Sequence, residues 1–146
     1  RGEQLLLFGY LQGFQWFTER GAKHARLRQD ITERDISLAL GRCPRSRFSI
    51  LLAHDPAPFA AYADWGAPMV LSGHIHGGQI RLPRLGGVLS PAHRFFPEYS
   101  AGVYRRGGST LVVSRGLSVS EMPRVNNRPE VAFLTLRSGE TFGSDV

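Results

Sequence analysis

The sequence predicts a strand-rich α/β fold, and three observations predict it. Short apolar runs recur along the chain, each bounded by turn residues. Only two segments carry helix-start signals. The chain also holds 17 Gly and 9 Pro, a proportion that favours turns over long helices.

The elements follow in order. Gln4 to Tyr10 (QLLLFGY) is an apolar run of the kind found in buried strands. Gln12 to Gln29 mixes aromatics with charges and has no period, so it is loop or short helix. Thr32 to Leu40 starts with Thr32 and Asp35, a capping spacing, and Gly41 and Pro44 end it. Arg47 to Ala53 is a buried strand running into His54-Asp55-Pro56. Pro58 to Asp64 is a short helix with Pro at its start. Met69 to Ser72 is a second buried strand, ending in Gly73-His74-Ile75-His76-Gly77-Gly78. Gln79 to Leu82 continues extended, and Pro83 to Ser100 is a long loop. Thr110 to Ser114 and Val131 to Leu136 are two further strands, the last closed by Ser138-Gly139.

The 146 residues suit a single domain, and 42% hydrophobic with 21% charged residues excludes a disordered or fibrous chain. The net charge of +6 fits an anionic substrate or surface, but its arginines alternate with Pro, Ser and Gly instead of forming a compact run. Specific nucleic-acid binding is therefore the weakest of the charge-based readings, and no nucleic-acid partner is expected. Cys43 is the only cysteine, which excludes an intrachain disulfide and Cys-rich zinc sites. No stretch of about 18 apolar residues is present to span a membrane as a helix.

Two of the strands end in histidine. On an extended backbone His74 and His76 project to one face, close enough to share an ion or hold a pair of them. Flanking glycines allow a tight turn and leave room beside the ions. His54 follows the apolar run Ile50 to Ala53, and parallel neighbouring strands would set it beside His74. Each histidine alone is as readily a turn or strand-end residue bonded to backbone. Together, three imidazoles at two strand ends favour a metal site suited to Zn, Mn or Fe.

Ile50 to Pro56 and Val70 to Ile80, with the core Gly73-His74-Ile75-His76-Gly77-Gly78-Gln79, resemble the last two metal motifs of the calcineurin-like metallophosphoesterases. The likeness is to the bacterial branch containing the YkuE and YaeI phosphodiesterases. Arg81-Leu82-Pro83, Tyr99 to Tyr104, Val113 to Leu117 and Arg128-Pro129-Glu130 extend it. The resemblance implies the C-terminal half of a metallo-dependent phosphatase β-sandwich flanked by helices, with residues 1–146 forming one partial domain. It implies two divalent metal ions, His54 and His74 on one and His76 on the other, and hydrolysis of phosphodiester or pyrophosphate bonds. Substrates would be phosphate-ester small molecules or lipid-linked molecules, with association at a membrane surface. The relatives so implied act in the bacterial cytoplasm, at the inner-membrane periphery or beyond it, and the oligomeric state stays open.

The chain departs from the family pattern. The Asp-x-His, Gly-Asp-x-x-Asp and Gly-Asn-His-Asp motifs have no match and are expected upstream of Arg1, the general-acid histidine among them. Ile75 stands where Thr is commoner, and Ser118 where Gly is frequent. A catalytically incomplete metal-binding or scaffolding module is the alternative for the isolated chain. Among other residues, Arg115 contacts a substrate phosphate or forms a surface salt bridge, with Gly116 serving its turn. Asp55 supports a ligating histidine or caps the next helix. His93 belongs to a lid or is simply exposed. Gln79 fixes its turn, Trp16 and Trp65 pack in the core or at its rim, and Glu130 has no assigned role.

Overall fold

A computed structural model describes residues 4–11, 31–90, 95–117 and 123–137. Its elements are β1 (Leu6–Tyr10), α1 (Glu33–Leu40), β2 (Ser49–Ala53), α2 (Phe59–Trp65), β3 (Met69–Ser72), β4 (Ile80–Leu82), β5 (Gly86–Leu89), β6 (Gly102–Arg106) and β7 (Ser109–Val113). A five-stranded sheet has the order β1-β2-β3-β7-β6, and β4 pairs with β5 in a separate two-stranded sheet. The strand-rich α/β class is therefore as the sequence predicts.

Strands β1, β2, β3 and β7 run parallel, and β6 folds back antiparallel on β7. Register sets Phe8, Leu51, Val70 and Leu111 side by side, because partners in a parallel ladder share a face. Both helices cover that face. Ile36 of α1 and Phe59, Tyr62 and Trp65 of α2 close over Leu51, Ala53, Val70, Leu111 and Val113. Polar atoms inside this core are bonded: Tyr62 Oη donates to the Asp55 carbonyl at 3.0 Å and Trp65 Nε1 to that of Gly41 at 2.8 Å.

The helix ends follow their sequence signals. The Asp35 carboxylate accepts from the Thr32 N–H at 2.8 Å and the Thr32 hydroxyl at 2.7 Å, fixing the start of α1. These two bonds hold the Asp35 carboxyl below the usual carboxylate range. Gly66 ends α2 in the left-handed conformation that glycine adopts without Cβ strain.

Among the described residues the second face of the sheet is only partly covered: Ile50 and Val112 on it are buried, whereas others are not. Leu7 is 62% exposed, Leu52 41% and Val103 61%, and all three lie on the side away from the helices. Thus β1 is a half-exposed edge strand, not a buried one, and β2 is buried except at Leu52.

Two expectations need correction, and one strand was not anticipated. Val131 to Leu136 makes no ladder among the described residues, and Phe133 is 92% exposed; its apolar alternation lacks a neighbouring strand to pair with. The stretch Pro83 to Ser100 is not all loop, since Gly86–Leu89 returns as β5 along β4. Strand β6 went unread because Gly102–Arg106 is a mostly exposed edge in which Tyr104 alone packs toward the core. Gln12 to Gln29, including Trp16, and His93 and Ser118 lie outside the described residues. Trp65 is a core residue.

Candidate metal centre

Parallel sheets present functional groups at the carboxyl ends of their strands, where loops leave the ladder. Here the β2–β3 register ends at Ala53 beside Ser72, so the next residues of both strands emerge together. His54 and His74 consequently lie with ring centroids 4.3 Å apart and planes tilted by 43°. Ser72 Oγ donates to the His54 carbonyl at 3.1 Å and His54 N–H to that of Tyr10 at 3.3 Å, which ties the two strand ends to β1. The two rings border a cleft of about 530 Å³ whose other walls include Tyr10, Leu11, Leu52 and Leu71.

Burial pushes the His74 imidazole below its ordinary pKa, and the neighbouring His54 adds to the effect, while Asp55 opposes it. Neutral imidazole is the form that ligates metal. Asp55 is itself buried and accepts the Ala57 N–H at 2.9 Å, so it braces the turn into α2.

His76 is reached differently from the way the sequence implied. The backbone is not extended here: His74, His76 and Gln79 have φ of 63°, 51° and 37°. Such left-handed values cost non-glycine residues of the order of 1–3 kcal/mol each and persist where surrounding bonds dictate them. The strand alternation argument for His74 and His76 therefore does not hold. Their relative placement comes from a tight turn in which Ile75 N–H bonds the Gly73 carbonyl and Gly78 N–H bonds that of Ile75.

A strap formed by residues 123–130 holds this turn. Val125 N–H bonds the Gln79 carbonyl and Arg81 N–H the Val125 carbonyl, both at 3.0 Å. The buried Asn127 donates to the carbonyls of His76 at 2.6 Å and Gln79 at 3.3 Å. Arg124 places Nη2 3.3 Å from His76 Nδ1 and 3.0 Å from the Arg115 carbonyl oxygen. Arg81 donates to the Gly77 carbonyl at 2.7 Å. Arg115 is paired with Glu130, its Nε 2.7 Å from the carboxylate, which gives Glu130 a structural role.

The glycines make that packing possible. A Cβ on Gly77 would stand 2.5 Å from Asn127 Oδ1 and 2.7 Å from Arg115 Cγ, and one on Gly78 2.7 Å from the Gly87 Cα. Space beside the turn is thus filled by the strap and by β5. Arg124 and Asn127 were not singled out from sequence, because no motif or period marks Met122 to Asn127, and Arg81 entered only as part of the family resemblance.

The comparisons with known proteins bear on this arrangement. The chain is 37% identical over 105 residues to the metallophosphoesterase YkuE of Bacillus subtilis, covering 71% of this chain and 36% of that protein. It belongs to the calcineurin-like metallophosphoesterases. A second member, phosphodiesterase YaeI of Escherichia coli, is 34% identical over 87 residues, 60% of this chain and 32% of YaeI. A bovine transmembrane protein with a metallophosphoesterase domain is 35% identical over 108 residues, 71% of this chain and 23% of its own length. The chain thus spans about a third of the length of the bacterial metallophosphoesterases it matches. No family model and no solved structure matches it.

The donor set fits a divalent cation in part. Two adjacent imidazoles, one of them biased toward the neutral form by burial, are borderline ligands suited to Zn, Mn or Fe. Among the described residues no group of three His, Cys, Asp or Glu side chains stands ready to hold an ion alone. None of their helices is long and apolar enough to cross a membrane.

Proposed function

We propose that this chain supplies the histidine side of a metal centre in a hydrolase of phosphate esters. The bonds cleaved are of the phosphodiester or pyrophosphate class. The pairing of His54 with His74 across neighbouring strand ends carries the reading. These two imidazoles hold one cation, and His76 serves a second. Such cations supply Lewis-acid polarisation of a phosphoryl oxygen.

The chain's own residues do the positioning. Strand register fixes where His54 and His74 emerge, burial favours the neutral form of His74, and the strap fixes the His76 backbone. Leu52 and Leu71 give the cleft an apolar wall, and its open mouth leaves room for an anionic substrate. Phosphate-ester small molecules and lipid-linked molecules both suit an open cleft with a net positive chain around it, and the same charge favours an anionic membrane surface.

Hydrolysis of bis-p-nitrophenyl phosphate with added Mn tests the proposal on this chain and on a polypeptide spanning the full length of its relatives. Oxygen ligands have to join the imidazoles, so the expected result is turnover by the longer protein and little by this chain. Turnover by neither, with Mn bound, would leave a non-catalytic metal-binding module. Unchanged turnover after replacing His54 and His74 in the longer protein would end the metal-centre reading.

A further inference from the structure

The hairpin that leaves the histidine turn carries apolar side chains into solvent. Leu82 at the end of β4 is 43% exposed and Leu85 at the tip 65%, with Pro83 and Arg84 exposed between them. Residues 95–96 run beside β5, where Phe95 bridges Leu89 and the Phe96 N–H bonds the Val88 carbonyl at 2.8 Å. Their rings are 72% and 63% exposed. Leu85 lies just before β5 and Leu89 ends it, so on the order of 13 Å separates the tip from the phenylalanine arm.

The backbone holds these side chains under strain. Arg84 and Phe96 stand at φ 66° and 49°, left-handed values that a bulky residue keeps only where surrounding bonds impose them. A ring held on strained backbone and left in water adds nothing to the core. Strain of this kind is concentrated where a protein meets a ligand or partner.

Charge says which partner. Arg84 sits at the tip between Pro83 and Leu85, and from Gly77 to Arg106 the sequence has five arginines against one acid, Glu98. Leucines and rings projecting around an arginine suit the interface of an anionic bilayer. The apolar groups enter the acyl boundary while the guanidinium stays with the headgroup phosphates. A stable protein interface takes about 800 Å² from each partner, more than four partly exposed side chains offer.

We propose that the β4–β5 hairpin and the Phe95–Phe96 arm form a membrane-docking surface that sets Leu85, Phe95 and Phe96 into the headgroup layer of an anionic bilayer. The proposal supplies the contact for the membrane association named above, and it does not depend on the metal centre. The hairpin packs directly on the histidine turn, where a Cβ on Gly78 would stand 2.7 Å from the Gly87 Cα. Docking therefore brings that turn to the bilayer surface, where lipid-linked phosphates lie.

Co-sedimentation of the full, metal-free chain with vesicles tests it, using phosphatidylcholine mixed with phosphatidylglycerol and phosphatidylcholine alone. Binding is expected on the mixed vesicles and at least about tenfold weaker on the neutral ones. The Leu85→Ser, Phe95→Ser double variant should bind the mixed vesicles at least about tenfold more weakly, since both changes withdraw apolar area from the bilayer. Arg84→Gln should weaken binding about fivefold, the factor for one basic residue near an anionic surface. Leu7→Ser, exposed on the main sheet, should bind as the wild type does. Urea midpoints check that each variant folds, and Phe96→Asn, whose side chain tolerates the left-handed backbone, carries the same comparison if the double variant does not. Absence of binding to mixed vesicles overturns the proposal, as does binding that the double variant keeps or that Leu7→Ser loses equally. A dimer at sedimentation equilibrium that the double variant abolishes, with no vesicle binding by the wild type, would assign the surface to a second copy instead. Failure of His54 and His74 to bind a cation would end the metal-centre reading and leave this result untouched.

Discussion

His54 and His74 come from separate strands yet lie with their ring centroids 4.3 Å apart. Two protonated imidazoles at that distance would repel, and burial already disfavours the charged form of His74. The folded pKa of His74 is thereby depressed below 6.5, so between the two values the unfolded chain binds more protons than the folded one. Stability is then full above the unfolded value and falls as pH drops through that window. Denaturant midpoints of the metal-free protein should rise from pH 5.5 to 7.5, and this rise should shrink in His74→Ala. In His54→Ala, NMR titration should find His74 moved back toward its ordinary value.

The partly covered face of the sheet makes leucines of neighbouring strands unequal. Leu51 is fully buried in the helix-covered core, whereas Leu7 and Leu52 face outward. Leu51→Ala should cost about 2–5 kcal/mol by leaving a cavity. Leu7→Ser and Leu52→Ser should each change stability by roughly 0.5 kcal/mol or less, as surface substitutions do. Parallel strands are ordinarily covered on both faces, so the exposed row is expected to favour self-association of this chain. Light scattering should show less self-association in the Leu7→Ser, Leu52→Ser double variant than in the wild type.

Asn127 offers a test of the strap. Its amide is buried and bonds two carbonyls of the histidine turn. Asn127→Ala takes this donor from the His76 carbonyl, while that of Gln79 keeps the Val125 N–H, at a cost of about 1–3 kcal/mol. Thermal or urea unfolding measures that cost. Because the lost bond holds the His76 backbone, amide exchange should quicken at Ile75 and Gly78 more than in β2.

How much of this was legible in the sequence depended on which force set each feature. Apolar runs marked β2, β3 and β7, and a Thr–Asp pair marked the start of α1, because burial and capping act locally. The meeting of His54 with His74 followed once the two strands were read as parallel neighbours. Three features did not follow. Strand β6 is a mostly exposed edge whose partner supplies the ladder, so its own side chains carry little signal. Val131 to Leu136 has a strand's alternation, but a strand exists only with a neighbour. The left-handed turn at His74 and His76 is imposed by Asn127 and Arg81, both distant in sequence or unremarkable within it.

Gly73 and Gly77 flank the same two histidines, yet alanine should act oppositely at them. Gly77 sits at φ +73°, and its added Cβ would meet Asn127 Oδ1 at 2.5 Å and two Arg115 carbons within 2.8 Å. Strain in the left-handed region, about 1–2 kcal/mol, adds to overpacking of about 1–3 kcal/mol. Gly77→Ala should therefore lose about 2–5 kcal/mol, and the displaced strap should release the Arg124 contact to His76. At Gly73 nothing stands within 4 Å of the new Cβ and φ lies outside the left-handed range. Gly73→Ala should leave stability unchanged or raise it by up to about 1 kcal/mol, since alanine restricts the unfolded chain more than glycine does. Urea unfolding of the two variants decides the matter, and equal losses at both would mean that the strap does not press on Gly77.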